Sequence, residues 1–91
     1  MAIFVDTLLE AHQNPKWFYR QSCHMYSDDV EELHKFAQSI GLKRSWFQNH
    51  PRLPHYDLTA NKRKQAVKNG AKEVDIKFTM NFMRRNKYGK T

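Results

Sequence analysis

The chain has 91 residues, 40 % of them hydrophobic and 13 % aromatic, enough for one small globular domain with a modest core and too much for wholesale disorder. No run of 18 apolar residues is present, which excludes a membrane-spanning helix, and the segment Met1–Asp6 reaches an acid with no basic run before it, unlike a secretory signal. A single cysteine, Cys23, excludes an intrachain disulfide and points to a reducing, cytoplasmic setting.

The formal net charge of +7 is unevenly spread. Residues 1–45 carry five Lys/Arg and six Asp/Glu, net −1, whereas residues 46–91 carry eleven and three, net +8. A basic second half suits a phosphate-bearing ligand (a nucleotide or a nucleic acid) or an acidic protein partner. A solvated basic face serving solubility is the plain alternative.

In chain order, Ile3-Phe4-Val5 reads as a short buried strand ending at Asp6. Residues 7–12 have the composition of a helical turn, which Asn14-Pro15 interrupts. Lys16-Trp17-Phe18-Tyr19-Arg20 is an aromatic cluster between cations, suited to core, lid or stacking surface. Cys23 to Ser27 reads as a second strand. Asp28 then opens a helix as N-cap, with Glu31 three residues on completing a capping box. Val30, Leu33, Phe36, Ala37 and Ile40 make its apolar stripe, and Gly41 with Leu42 supplies the stop. On that stripe His34 reads as a structural residue.

Lys43 to Pro54 is a loop in which Arg44 lies close to Trp46 and Phe47. That trio either stacks on a base or closes the core, and a small domain needs its large side chains buried. His55 to Leu58 forms a third strand, Thr59 caps a basic helix running to about Asn69, and Gly70 ends it. Ala71 to Val74 is a fourth strand. Asp75 caps a last helix through Ile76, Met80 and Met83, although Val74, Ile76 and Phe78 alternate as a strand would. Strands alternating with helices imply an α/β fold: one domain over residues 1–85, with three or four mostly parallel strands and two or three packed helices. Residues 86–91 are expected to form a flexible basic tail. Edge strands left open by so small a sheet allow a homodimer as well as a monomer.

If the strands are parallel, their carboxyl ends gather Asp6, then Ser27 and Asp28 with His24 just upstream, then His55, Tyr56 and Asp57. Ligands bind beyond such ends in open α/β sheets. His55 and Asp57 are two apart and share a strand face, so Asp57 could orient the imidazole as a general base. With Asp6 and His24 the same pair could hold a divalent metal. The blander alternative makes Asp57 a helix cap and His55 a structural histidine. No Cys pair or HExxH spacing marks a standard zinc site, and Cys23 next to His24 in a strand faces the other way. Thr59, Lys62 and Arg63 put cations among free amides at a helix start, a local conflict that a bound anion would relieve.

These segments resemble the DUF4031 family of small bacterial and phage domains. The resemblance is carried by Val5-Asp6, His24, Ser27-Asp28, Glu32-Leu33-His34-Lys35-Phe36-Ala37, Gly41-Leu42, His55-Tyr56-Asp57-Leu58, Lys62-Arg63, Ala66-Val67 and Gly70-Ala71, over about residues 3–75. It implies a compact single domain and a phage or prophage origin, and it supplies no activity.

Three functions are then compatible with the residues. The first is a phosphate-ligand binding protein, with Lys62, Arg63 and the amides after Thr59 on phosphate. Here Ser27, His24, His55 and Asp57 meet polar groups, and Arg44, Trp46 or Tyr56 meets a base. The second is a small hydrolytic or phosphotransfer enzyme, metal-assisted or not, built on Asp6, His24, Asp28, His55 and Asp57. The third is a phage-type interaction module or inhibitor docking through its basic face.

Overall fold

The computed structural model describes residues 2–11, 17 and 19–85. Among them the strands are β1 (Ile3–Val5), β2 (Leu9–Glu10), β3 (Gln21–Ser27), β4 (Tyr56–Leu58) and β5 (Lys72–Glu73). The helices are α1 (Val30–Ser39), α2 (Ala60–Lys68) and α3 (Ile76–Arg85), with one 3-10 turn at Arg44–Trp46. No helix among the described residues is long and apolar enough to cross a membrane.

The fold is α/β, but its sheet is mixed rather than mostly parallel. The central strand β3 runs antiparallel to β1, β2 and β4, and among the described residues only the β1–β5 pair is parallel. The cause lies in the first connection. A parallel return needs a crossover, usually a helix. Leu9 and Glu10 instead pair as β2 with Ser22 and Gln21, and Ala11 N–H bonds to Arg20 carbonyl at 2.7 Å. The expected helical turn over residues 7–12 is absent as far as Ala11, and β1 and β2 both pair antiparallel with β3. The segment with Asn14-Pro15 lies outside the described residues, as do Lys16, Phe18 and the expected tail 86–91.

The two sheet faces carry separate cores. Ile3, Val5, Cys23, Met25, Tyr56 and Leu58 face α1 and α2, meeting Leu33, Ala37, Ile40 and Ala66. On the opposite face Tyr26, Phe4 and Val74 meet Leu53 and α3 through Phe82 and Met83. The apolar spacing of α3, not the alternation of Val74, Ile76 and Phe78, decides the last element. Asp75 caps it, accepting from Phe78 N–H at 2.8 Å.

The helix ends follow the sequence signals with one shift. Asp29, not Asp28, is the N-cap of α1 and accepts from Glu32 N–H at 3.2 Å. The strand runs on through Ser27, whose hydroxyl donates to Ala2 carbonyl at 2.7 Å and accepts from Asp29 N–H at 3.1 Å, so the cap moves one residue along. Thr59 caps α2, accepting from Lys62 N–H at 3.2 Å. Both α1 and α2 end in a Schellman motif on a glycine with positive φ, 85° at Gly41 and 111° at Gly70. The 6→1 bonds are Leu42 N–H to Ala37 and Ala71 N–H to Ala66, both 2.9 Å.

Candidate metal centre

The antiparallel register places the polar residues. His24 of β3 lies opposite Asp57 of β4, so both side chains stand on the α3 face of the sheet. His55, two residues before Asp57, shares that face. It is held by a backbone bridge to Gln48, with bonds of 2.8 and 3.0 Å. Asp6 follows the last residue of β1, and its N–H bonds to His24 carbonyl at 3.1 Å.

Asp6 is fully buried and every polar atom it has is used. Its Oδ1 accepts from His24 N–H at 2.7 Å, replacing the backbone carbonyl an ordinary ladder would offer. Oδ2 accepts from His24 Nδ1 at 2.8 Å and from the Thr79 hydroxyl at 3.1 Å. The displaced Asp6 carbonyl accepts from Arg63 Nε at 2.8 Å. Because Thr79 gives its proton to the carboxylate, the buried Tyr26 hydroxyl 2.8 Å away donates to Thr79. A directed chain therefore runs from Tyr26 through Thr79 and Asp6 to His24.

His55 is oriented in the same manner. Its Nδ1–H donates to Leu53 carbonyl at 2.6 Å, leaving the lone pair on Nε2. His50 shapes that turn, its Nδ1 accepting from Arg52 and Leu53 N–H at 3.1 and 3.2 Å. Asp57 is fixed by the Gln48 side-chain amide, which donates to Oδ2. The imidazoles of His24 and His55 meet edge to face, with centroids 4.9 Å apart.

One ligand atom each from His24, His55 and Asp57 falls within 4.8 Å of the others. His55 Nε2 and Asp57 Oδ1 are 3.4 Å apart, long for a hydrogen bond. Two ligands at about 2.1 Å from one tetrahedral ion would stand at about that separation. Each histidine has Nδ1 engaged by an oxygen acceptor, the arrangement by which metal-binding histidines are held in one tautomer. The Asp6 carboxylate raises the pKa of His24 above its ordinary value, against the opposing effect of burial. Burial pushes the Asp57 carboxyl up, but the neighbouring imidazoles of His55 and His24 and the Gln48 amide together bring it below its ordinary value.

Of the residues read from the sequence, the fold thus brings together Asp6, His24, His55 and Asp57. Asp6 stands behind His24 rather than among the three facing ligand atoms. Ser27 and Asp28 lie at the other end of β3, because that strand runs opposite to β1 and β4. Tyr56 is fully buried on the α1 side, its hydroxyl 2.8 Å from His34 Nδ1, and so offers no face for stacking. The cations after Thr59 are answered inside the fold. Lys62 Nζ donates to Ile40 carbonyl at 2.6 Å, at the end of α1, and Arg63 spans Asp6 carbonyl and Glu73, at 3.0 Å. Arg44 lies over the Phe47 ring at 5.2 Å, while Trp46 is half exposed. Burial is the main cause pushing the Cys23 thiol up to about 12, so it stays protonated and is no nucleophile.

Sequence reasoning missed Gln48, Thr79, Tyr26 and the Leu53 carbonyl. Only Thr79 left a trace, as a hydroxyl on the buried stripe of α3 one turn before Phe82. No curated protein and no solved structure matches the chain. The family model described as protein of unknown function (DUF4031) matches residues 3–86, through all of α3, and the chain belongs to that family.

Proposed function

We propose that this protein is a small metal-dependent hydrolytic enzyme, with a divalent transition metal held by His24, His55 and Asp57. One observation carries the reading. Three ligand atoms of the right types lie within 4.8 Å of one another, and each of the three side chains is oriented from behind by its own partner. Three protein ligands leave coordination positions for water and substrate, the pattern of catalytic rather than structural sites. The bound ion would lower the pKa of its water toward neutrality and polarise the group under attack. His24 remains 38 % exposed at its side chain and Asp57 30 %, so a substrate reaches the centre from solvent.

The phosphate-holding role of Lys62 and Arg63 has weaker support, since both cations already serve backbone carbonyls. The same donor set also serves iron in oxygenases.

Calorimetric titration of the chelator-stripped protein with Zn²⁺, Mn²⁺ and Fe²⁺ tests the reading. One ion per chain is expected, with affinity reduced at least a hundredfold in His24→Ala, His55→Ala and Asp57→Ala. Hydrolysis of activated phosphodiesters and esters should then follow metal occupancy without dioxygen. Absence of stoichiometric binding, or turnover that depends on dioxygen, overturns it.

A further inference from the structure

The segment Lys43–Gln48 joins an exposed aromatic ring to the candidate metal centre. Trp46 is 50 % exposed, though an indole is among the groups a small fold gains most by burying. Its neighbour Phe47 is packed instead, against His34 and Tyr56 at centroid distances of 4.5 and 5.5 Å. The two rings of the Trp46-Phe47 pair thus divide: one closes the core and the other is left to solvent. Lys43 Nζ stands 5.7 Å from the Trp46 ring centroid. Two residues beyond Trp46, Gln48 holds Asp57 through its side chain and His55 through its backbone. Two residues span at most about 7 Å, so the backbone of Trp46 is tied close to the centre.

The sequence on either side of this segment is strongly basic. Residues 33–72 contain nine Lys/Arg and a single acid, and that acid is Asp57. Such a segment attracts a polyanion, and its one negative charge is the one a metal would neutralise.

We infer that the substrate is single-stranded nucleic acid, with one base stacked on Trp46 and the adjoining phosphodiester presented to the metal centre. This inference rests on the hydrolytic reading above. A single strand fits better than a duplex because a half-exposed indole beside cations offers a stacking face, and only unpaired bases can use it. Cleavage is a hydrolysis that needs no oxidant or reductant. A bond forms between the water oxygen and phosphorus, and the bond from phosphorus to one sugar oxygen breaks. One water proton goes to the departing sugar oxygen, and the other is released from the new phosphomonoester to solvent.

Fluorescence anisotropy of labelled 12-nucleotide single strands, one of DNA and one of RNA, with the full chain in chelator at low salt tests the contact without cleavage. The DNA and RNA arms identify the source of the strand. Expected is saturable binding that weakens with salt, and affinity reduced about tenfold or more in Trp46→Ala and several-fold in Lys43→Glu. In a Trp17→Phe background the remaining Trp46 fluorescence should be quenched on binding. No binding of either strand, tighter binding of a duplex, or equal affinity in Trp46→Ala and Lys43→Glu overturns the inference. The metal titration is read separately, so failure of the metal centre shows there and loss of strand contact shows only here.

Discussion

Asp6→Asn changes one atom at the rear of the candidate centre and reverses the logic of His24. The carboxylate accepts from His24 N–H at 2.7 Å through Oδ1 and from Nδ1 at 2.8 Å through Oδ2. In the asparagine variant the amide oxygen must stay opposite the backbone N–H, which can only donate. The amide nitrogen then faces Nδ1, and a donor facing Nδ1 makes that nitrogen the acceptor. The His24 proton moves to Nε2, the atom the metal needs. To bind metal, the ring must regain its former tautomer with Nδ1–H against an amide N–H. Loss of such an orienting partner costs 10–100-fold in metal affinity, or about 1.4–2.8 kcal/mol. Asp6→Asn should therefore bind Zn²⁺ about 10–100-fold more weakly in a calorimetric titration, with its circular dichroism spectrum that of a folded protein. Asp6→Ala, which leaves no donor facing Nδ1, should bind better than Asp6→Asn wherever both fold. Affinity in Asp6→Asn within threefold of the parent would refute the tautomer argument.

Thr79→Val removes the hydroxyl between Tyr26 and Asp6 at nearly constant volume. It deletes a bond to a carboxylate and leaves the buried Tyr26 hydroxyl without its partner, at a cost of about 3 kcal/mol in urea denaturation and a fall in Tm of roughly 12–24 °C. Adding Tyr26→Phe should recover about 1 kcal/mol by removing the orphaned group, and strict additivity of the two variants would count against the directed chain. His34, buried in the α1 core, has its pKa lowered chiefly by burial and further by the charge of Arg44. The unfolded chain therefore takes up this proton at a higher pH than the folded one, so its contribution to stability is present above about pH 6.5 and is lost as pH falls below that. Denaturation midpoints of His34→Gln should fall less than the parent's between pH 8 and pH 5, and an equal fall would sink the assignment.

What could be read from the chain was local. The stripe of α1, the Gly41 and Gly70 stops, the Thr59 cap and the shared face of His55 and Asp57 all depend on residues within a turn or two of each other. Strand direction does not. The alternation of strands and helices suggests parallel pairing, yet the described part of the first connection is paired as β2 and β3 returns antiparallel, sending Ser27 and Asp28 to the far edge. The conflict of Lys62 and Arg63 with the dipole of their own helix was also legible. Its answers lie at Ile40 and Asp6, 22 and 57 residues away in sequence, and no pattern around Thr59 could announce them.

Reversal of β3 is also what assembles the centre. A strand set antiparallel between β1 and β4 presents the middle of its length, not its end, to both neighbours, so His24 meets Asp6 on one side and Asp57 on the other. A slip of one residue would turn His24 into the α1 and α2 core and bring Cys23 to the site face. The cores on the two faces forbid that slip. Met25 is pinned between Val5 and Tyr56 on one side of the sheet, and Tyr26 between Phe4 and Phe82 on the other. The same Tyr26 begins the hydroxyl chain to Asp6, so the packing of α3 and the orientation of His24 depend on one side chain. The geometry of the candidate centre is inherited from packing that would be needed for folding alone, so His24, His55 and Asp57 are set in place with few residues given to that task.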